Sequence, residues 1–348
     1  MKILLPLAWL YGCIMQIRNW LFDHQWLKQE RFALPIINVG NLAVGGTGKT
    51  PHTEYLLRLL TEEGWQCAML SRGYGRKTKG YRRVQGCAPD EVGDEPWQVQ
   101  QHFPTVRVSV CERRVEGIRK LMEESLPEVI LLDDAYQHRY VQAGLNLLLT
   151  DYARPYYQDA VMPAGRLREF KSGAHRAHLV IVTKCPPDLS EAAMHEFEER
   201  LQLLPHQQLY FTSLSYGPLY AFGQCGDSPK APQLDQARVL LLCGIARPQS
   251  LIDYLQPKCQ TLHKDLFRDH HRFSAKEMAA LEKKAESYDY VITTEKDAAR
   301  LADYPLSPAL RSRLWVQPVT ISLLKNANQF NQTILNYVTE NSRNRKVD

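Results

Sequence analysis

The sequence lacks most marks of a specialised environment. It has no CxxC pair: eight cysteines, at positions 13, 67, 87, 111, 185, 225, 243 and 259, are scattered along 348 residues. That spacing argues against a zinc site and a disulfide framework and suits a reducing compartment. Charge of one sign is scarce as well, with a formal net charge of +5. Such a balance permits an anionic surface or substrate as partner without requiring nucleic acid, and none is expected. No internal repeat or low-complexity segment is found. Nor is there an apolar run of the roughly 20 residues that a membrane-crossing helix needs. The longest, ILLPLAWLYGCIM at 3–15, is broken by Pro6. No small-residue cleavage site follows it, so a signal peptide is not expected. Trp9, Tyr11, Trp20 and Trp26 suit the headgroup level of a bilayer instead. Residues 1–30 are therefore expected to form an interfacial helix region, the competing reading being a helix docked on the protein's own core.

What is present is an ordinary globular composition, 44% hydrophobic and 23% charged. The length exceeds one typical core and fits two α/β domains. Short Val/Ile/Leu runs at 36–40, 66–70, 128–132, 145–150 and 179–183 alternate with helical stretches. This pattern predicts a mostly parallel sheet with both faces covered. Near 210–222 the chain changes character and a polar Gly/Asp/Ser/Pro stretch follows. The expected division is a P-loop domain over 31–210, a linker over 211–232, and a smaller α/β domain over 233–340 closing over the nucleotide.

Ala43, Val44, Gly45, Gly46, Thr47, Gly48, Lys49 and Thr50 carry the Walker A spacing, with Ala43 at the first glycine position. A predicted strand precedes them and a predicted helix follows, the context this pattern requires. Glycines let successive N–H groups converge on phosphate oxygens, and the helix N-terminus adds its positive end. Lys49 is expected at the β- and γ-phosphates of ATP, and the Thr50 hydroxyl on Mg²⁺. An apolar run ending in Asp133 and Asp134 supplies a Walker B pattern. One acid would organise the metal and the other orient the acceptor, and the sequence leaves open which does which.

A P-loop alone does not separate a kinase from a switch GTPase or a metal-chaperone ATPase. Around it stand NVGNLAVGGTGKTP (38–51), LSRGYGR (70–76), GDEP (93–96), LLDDAYQHR (131–139), PAGRLRE (163–169), DHHRF (269–273) and TTEKDAAR (293–300). This ordered set closely resembles the tetraacyldisaccharide 4′-kinase family of lipid A synthesis. The family's commoner DDGFQHR is replaced here by Ala135 and Tyr136, both mild changes. The rival GTPase reading would need an Asn-Lys-x-Asp motif, and Val182-Thr183-Lys184-Cys185 lacks it.

The resemblance implies transfer of the ATP γ-phosphoryl group to the 4′-hydroxyl of a tetraacylated diglucosamine 1-phosphate, at the cytoplasmic face of a bacterial inner membrane. A monomer is expected. A sugar hydroxyl needs a proton acceptor, and Asp94 is the choice. By pattern alone an N-terminal helix cap explains Asp94 equally well. His270 is expected to orient it as a dyad partner, chosen over His271 because the family motif puts its histidine directly after the aspartate. Lys49 and Asp134 complete the expected catalytic set. Thr50, Asp133, Asp134 and Glu169 form the expected metal set. Arg72, Tyr74, Gln137, His138, Arg139 and Arg168 are assigned to the substrate, arginine's planar fork suiting phosphate. The basic stretch Arg72, Arg76, Lys77, Lys79, Arg82 and Arg83 is expected either to meet anionic headgroups or to be a solvated face. Residues 294–297 are expected to grip the nucleotide.

Overall fold

Each of the predicted apolar runs is too short for a stable helix and rich in residues that fit a pleated, buried surface. In the computed structural model they become strands. The structure describes residues 4–223, 231–269, 271–302 and 304–343. The first unit contributes β1 (Ile36–Asn41), β2 (Cys67–Ser71), β3 (Arg82–Arg83), β4 (Arg107–Val110), β5 (Val129–Asp133), β6 (Leu145–Asp151), β7 (Leu179–Thr183) and β8 (Gln208–Tyr216). The second contributes β9 (Tyr220–Ala221), β10 (Arg238–Cys243), β11 (Thr261–Leu266), β12 (Tyr290–Thr294) and β13 (Leu314–Gln317). A last strand, β14 (Val319–Leu323), follows.

Among the described residues these strands make a nine-stranded sheet, ordered β14-β8-β7-β6-β1-β5-β2-β4-β3, and a five-stranded sheet, ordered β11-β10-β12-β13-β9. From β4 to β8 the large sheet is parallel, with antiparallel pairs at its edges. Strand β1 is entirely buried and lies between β5 and β6. Its successor helix leads to β2, on the far side of β5, so the crevice at the carboxyl ends opens beside β1. Those ends carry Asn41, Ser71, Asp133, Asp151 and Thr183, all buried. Polar groups buried together at one edge of an otherwise apolar sheet mark where chemistry is held.

The helices are α1 (Leu5–Asp23), α2 (Lys49–Glu62), α3 (Pro89–Val92), α4 (Asp94–His102), α5 (Arg114–Ser125), α6 (Glu191–Leu201), α7 (Gln249–Leu255), α8 (Ala275–Ala285), α9 (Glu295–Leu301), α10 (Pro308–Arg313) and α11 (Ala327–Arg343). Gly64, at φ 82°, follows the end of α2 in the left-handed backbone that a glycine adopts without strain.

Two expectations about chain organisation change. The stretch 211–232 is not simply a linker: β8 runs to Tyr216 inside the large sheet, and β9 joins the small one. Nor does the second unit run to 340. Strand β14 pairs antiparallel with β8, and α11 buries Phe330, Ile334 and Val338 against Leu56, Leu57 and Leu60 of the first unit. The Tyr337 hydroxyl donates to the Ile36 carbonyl at 3.1 Å, fixing α11 to β1. The chain thus crosses between units twice, through β8–β9 and β13–β14. At the crossing, the Gln317 side chain donates to the Gly217 carbonyl at 2.7 Å.

Helix α1 turns inward a mixed face of two small residues, one amide and one aromatic ring. Ala8, Gly12, Asn19 and Phe22 are buried, and a Cβ on Gly12 would meet the Phe170 ring at 2.4 Å. Outward it presents Leu7, Trp9, Leu10, Ile14, Ile17 and Trp20, and Trp26 follows at 74% exposure. No helix among the described residues is long and apolar enough to cross a membrane.

Candidate active site

The phosphate loop connects β1 to α2. Gly45 at φ 109° and Gly48 at φ 85° adopt backbone that a side chain would strain. Neighbours fix the loop from below. The Asn41 amide donates to the Thr47 hydroxyl at 2.8 Å, and the Thr183 hydroxyl donates to the Thr47 carbonyl at 2.9 Å. His52 is fully buried and burial pushes it down to about 4, so its ring is neutral. One ring nitrogen therefore donates to the Gly48 carbonyl at 2.7 Å, and the other accepts from the Thr212 hydroxyl at 3.0 Å. The ammonium of Lys184, a residue at φ 58°, donates to the Gly46 carbonyl. It also reaches Asp151 at 3.0 Å, and Arg247 of the second unit meets the same carboxylate at 3.0 Å.

Beside the loop, β5 ends in the two acids. Lys49 lies 3.7 Å from Asp134, whose oxygens also receive two nitrogens of Arg168 at 2.8 and 3.0 Å. Burial alone would raise Asp134, but Lys49 and then Arg168 hold it below its ordinary value. Asp133 has less help. Burial first, then Glu95 and Asp134, push it up to about 7, and its Oδ1 has no hydrogen-bond partner among the described residues. A buried carboxylate with an orphaned oxygen fits a cation. Thr50, Asp133 and Asp134 are thus a donor set suited to a hard divalent ion. Among the described residues no three His, Cys, Asp or Glu side chains could hold a metal by themselves. Such an ion would therefore complete its shell with phosphate and water, as Mg²⁺ commonly does.

Helix α4 carries Asp94 at its first position, after Gly93 at φ 97°. A Cβ on Gly93 would meet the Tyr74 carbonyl at 3.0 Å, and one on Gly73 would meet the Val92 carbonyl at 2.7 Å. This close backbone approach leaves no room for a side chain at Gly73 of LSRGYGR or at Gly93 of GDEP. It sets the exposed Arg72 and Tyr74 against the start of α4. Asp94 accepts from the Arg300 Nε at 2.8 Å. Glu95 is held down chiefly by Lys296, and it also feels Lys49 and Asp134.

Several sequence assignments move. The carboxylate of Glu169, expected on the metal, is saturated: it accepts from Asn19 at 2.6 Å, Gln137 at 2.9 Å and Arg176 at 2.7 Å, and is 1% exposed. It anchors α1. Arg139, expected on the substrate, is also buried against α1, donating to the Asn19 carbonyl and to Asp23 at 2.9 and 2.6 Å. Gln137 links Asn41, Glu169 and Arg168. His138 accepts from the Arg114 backbone at 3.3 Å, and burial, then Arg114, Arg18 and Arg72, push it down to about 4. Of the basic stretch, Lys77, Arg82 and Arg83 have exposed side chains paired with Asp90, Glu91 and Glu124, as a solvated face would, whereas the Arg76 side chain is buried and paired with Glu112. Glu295 and Lys296 hold α4, where a grip on the nucleotide was expected. His270 lies outside the described residues. His271 instead meets Glu277 at 3.1 Å and stacks on Phe267.

The sequence reading missed Asp151, Lys184, Arg247 and Arg300. Asp151 ends the run LLLTD, the same apolar-run-then-acid signal as Asp133, and could have been found by it. Arg300 stood in a quoted motif without a role.

Residues 1–339 match the family model of tetraacyldisaccharide-1-P 4′-kinase (LpxK). Curated relatives with the name tetraacyldisaccharide 4′-kinase include one from Bacteroides fragilis, 46% identical over 99% of this chain and 94% of its own length. Another, from Flavobacterium johnsoniae, is 44% identical over 98% of each chain. Among solved structures, LpxK from Aquifex aeolicus in complex with ATP superposes with a TM-score of 0.76 at 26% identity, covering 97% of this chain and 99% of that one. An ATP-site loop, a Walker B pair and near-complete coverage lead to one conclusion: this chain belongs to the tetraacyldisaccharide 4′-kinase family, the kinases of lipid A biosynthesis.

Proposed function

We propose that the protein moves the γ-phosphoryl group of ATP to the 4′-hydroxyl of a tetraacylated diglucosamine 1-phosphate, with Asp94 accepting the hydroxyl proton. The observation that carries this reading is the packing of α4 on α2, the helix that begins at Lys49. Gln98 of α4 donates to Glu54 of α2 at 3.0 Å, and Glu95, next to Asp94, lies within electrostatic reach of Lys49 and Asp134. An acceptor hydroxyl at Asp94 would therefore lie close to the outermost phosphate. Lys49 leaves Asp134 for the β- and γ-phosphates, while Arg168 keeps Asp134 neutralised. Mg²⁺, held by Thr50 and one of Asp133 and Asp134, would offset phosphate charge when bound. His270 is proposed to orient Asp94, and Arg72 and Tyr74 to meet the disaccharide beside it.

The glycolipid stays in its membrane while its headgroup enters the cleft. Helix α1 suits that task, since its polar face is bonded to the site itself. The Tyr11 hydroxyl donates to the Arg168 carbonyl at 3.0 Å, and Arg18 donates to the Gln137 carbonyl at 3.1 Å. Its exposed Leu, Ile and Trp side chains would lie at the acyl boundary of the cytoplasmic face of the inner membrane. One chain carries every group in this scheme, so a monomer suffices. The test is incubation with γ-labelled ATP and the disaccharide 1-phosphate in mixed micelles. Label appearing in a bisphosphorylated lipid supports the reading; release of inorganic phosphate alone would return the switch ATPase to consideration.

A further inference from the structure

Helix α9 of the second unit meets one face of α4 with four matched polar contacts. Arg300 reaches Asp94, Lys296 reaches Glu95, and Glu295 reaches Gln98 at 3.5 Å and His102 at 3.1 Å. Positions 94, 95, 98 and 102 share a helical face, so these contacts fix both the rotation and the height of α4. The contact that bears on chemistry is the first.

Arg300 is itself held before it touches Asp94. One terminal nitrogen donates to Asp297 at 2.8 Å and to the Gly244 carbonyl at 3.1 Å, and the side chain is 5% exposed. Asp297 is fully buried and accepts from the Gly244 amide at 2.8 Å and the Thr294 hydroxyl at 2.7 Å. Gly244 cannot be larger without disturbance, since a Cβ there would stand 2.9 Å from the Asp297 carboxylate. A planar guanidinium fixed on one edge leaves its Nε–H pointing in a single direction. That direction is Oδ2 of Asp94, at 2.8 Å.

We infer that Arg300 is a positioning residue for Asp94, so that the proton acceptor is oriented only while the second unit is docked on α4. The inference rests on the reading of Asp94 as the base. It assigns a task to the end of TTEKDAAR, whose Thr294, Asp297 and Arg300 form one hydrogen-bonded series from the small sheet to α4. A structural ion pair between two units would have the same distances, so the test must separate orientation of Asp94 from general docking.

A double-mutant cycle does so, measuring kcat at saturating ATP and lipid for wild type, Arg300→Ala, Asp94→Ala and the double variant. Arg300→Ala is expected to lower kcat about 100-fold, and Arg300→Lys, keeping charge but losing the fork, to recover no more than about tenfold of that. The affinity for a fluorescent ATP analogue should stay within about threefold of wild type. In the Asp94→Ala background, removing Arg300 should cost less than about threefold more, because a residue that acts through Asp94 has nothing left to position. A second loss of about 100-fold there overturns the inference and leaves the base reading intact. Asp94→Ala within about tenfold of wild type removes the base reading itself. If Arg300→Ala does not fold, Gly244→Ala displaces the Asp297–Arg300 pair without deleting it. It should lower kcat in the wild-type background and not in the Asp94→Ala background; equal losses in both would sink the idea.

Discussion

Arg168 holds Asp134 through two guanidinium nitrogens, at 2.8 and 3.0 Å, while Lys49 stands 3.7 Å from the same carboxylate. Two cations share one acid, and only one of them belongs to the phosphate loop. With Arg168 in place, Lys49 can leave for a phosphate without exposing an unneutralised carboxylate. Arg168→Ala should therefore bind Lys49 more firmly to Asp134 and weaken ATP, by about three- to tenfold in dissociation constant. Titration with a fluorescent nucleotide measures it, and unchanged affinity would detach Arg168 from nucleotide binding.

Lys49→Ala removes the charge expected at the transferring group. Turnover should fall about 100-fold or more, because preorganised charge in a water-poor site contributes a few kcal/mol to the transition state. The lipid's KM should change little. Steady-state kinetics with each substrate varied in turn separates the two, and a variant retaining a tenth of wild-type turnover would dismiss Lys49 from catalysis.

The sheet edge was legible because its signals are local: a glycine loop between strand and helix, and apolar runs ending in acids. Lys49, Asp133 and Asp134 come together as their spacing implied. Glu169 and Arg139 misled for a physical reason. Their charges suit phosphate and metal equally well, and sequence does not reveal that Asn19, Arg176 and Asp23 had already claimed them. Arg300 stayed without a role because its partner lies 206 residues away on another unit. Strand β14 was assigned to the wrong unit for a related reason, since a five-residue strand gives no sign of which sheet it will join.

Deleting α1 is a poor test of membrane binding, because Arg139 would lose both Asn19 and Asp23, and Glu169 would lose Asn19 while keeping Gln137 and Arg176. Changes on the outer face avoid this. Trp9→Asp with Ile17→Asp, at residues 69% and 60% exposed, should leave the melting temperature unchanged. Flotation with anionic vesicles should fall at least about fivefold, since each change removes buried apolar area at the interface and adds a charge there. Undiminished flotation would put the membrane contact elsewhere on the protein.

His102 predicts a pH dependence of folding. Its ring lies 3.2 Å from Glu54 on α2 and 3.1 Å from Glu295 on α9, with Gln98 donating to Glu54 at 3.0 Å. Burial alone would lower it, but the two acids prevail and push it up to about 11. Burial also raises Glu295, so the group holds its proton tightly, and the imidazole between the two acids is where it resides. A histidine raised on folding contributes fully below its unfolded value, near 6.5, and that contribution disappears as pH climbs through the folded value. Between those limits the native state carries one proton more than the unfolded chain. Stability from this group should therefore decline as pH rises from 6.5 toward 11. In His102→Gln that part of the slope should vanish, leaving a protein less stable at neutral pH and less sensitive above it. Urea unfolding at several pH values reads the difference, and parallel slopes for the two proteins would show that His102 is neutral in the fold.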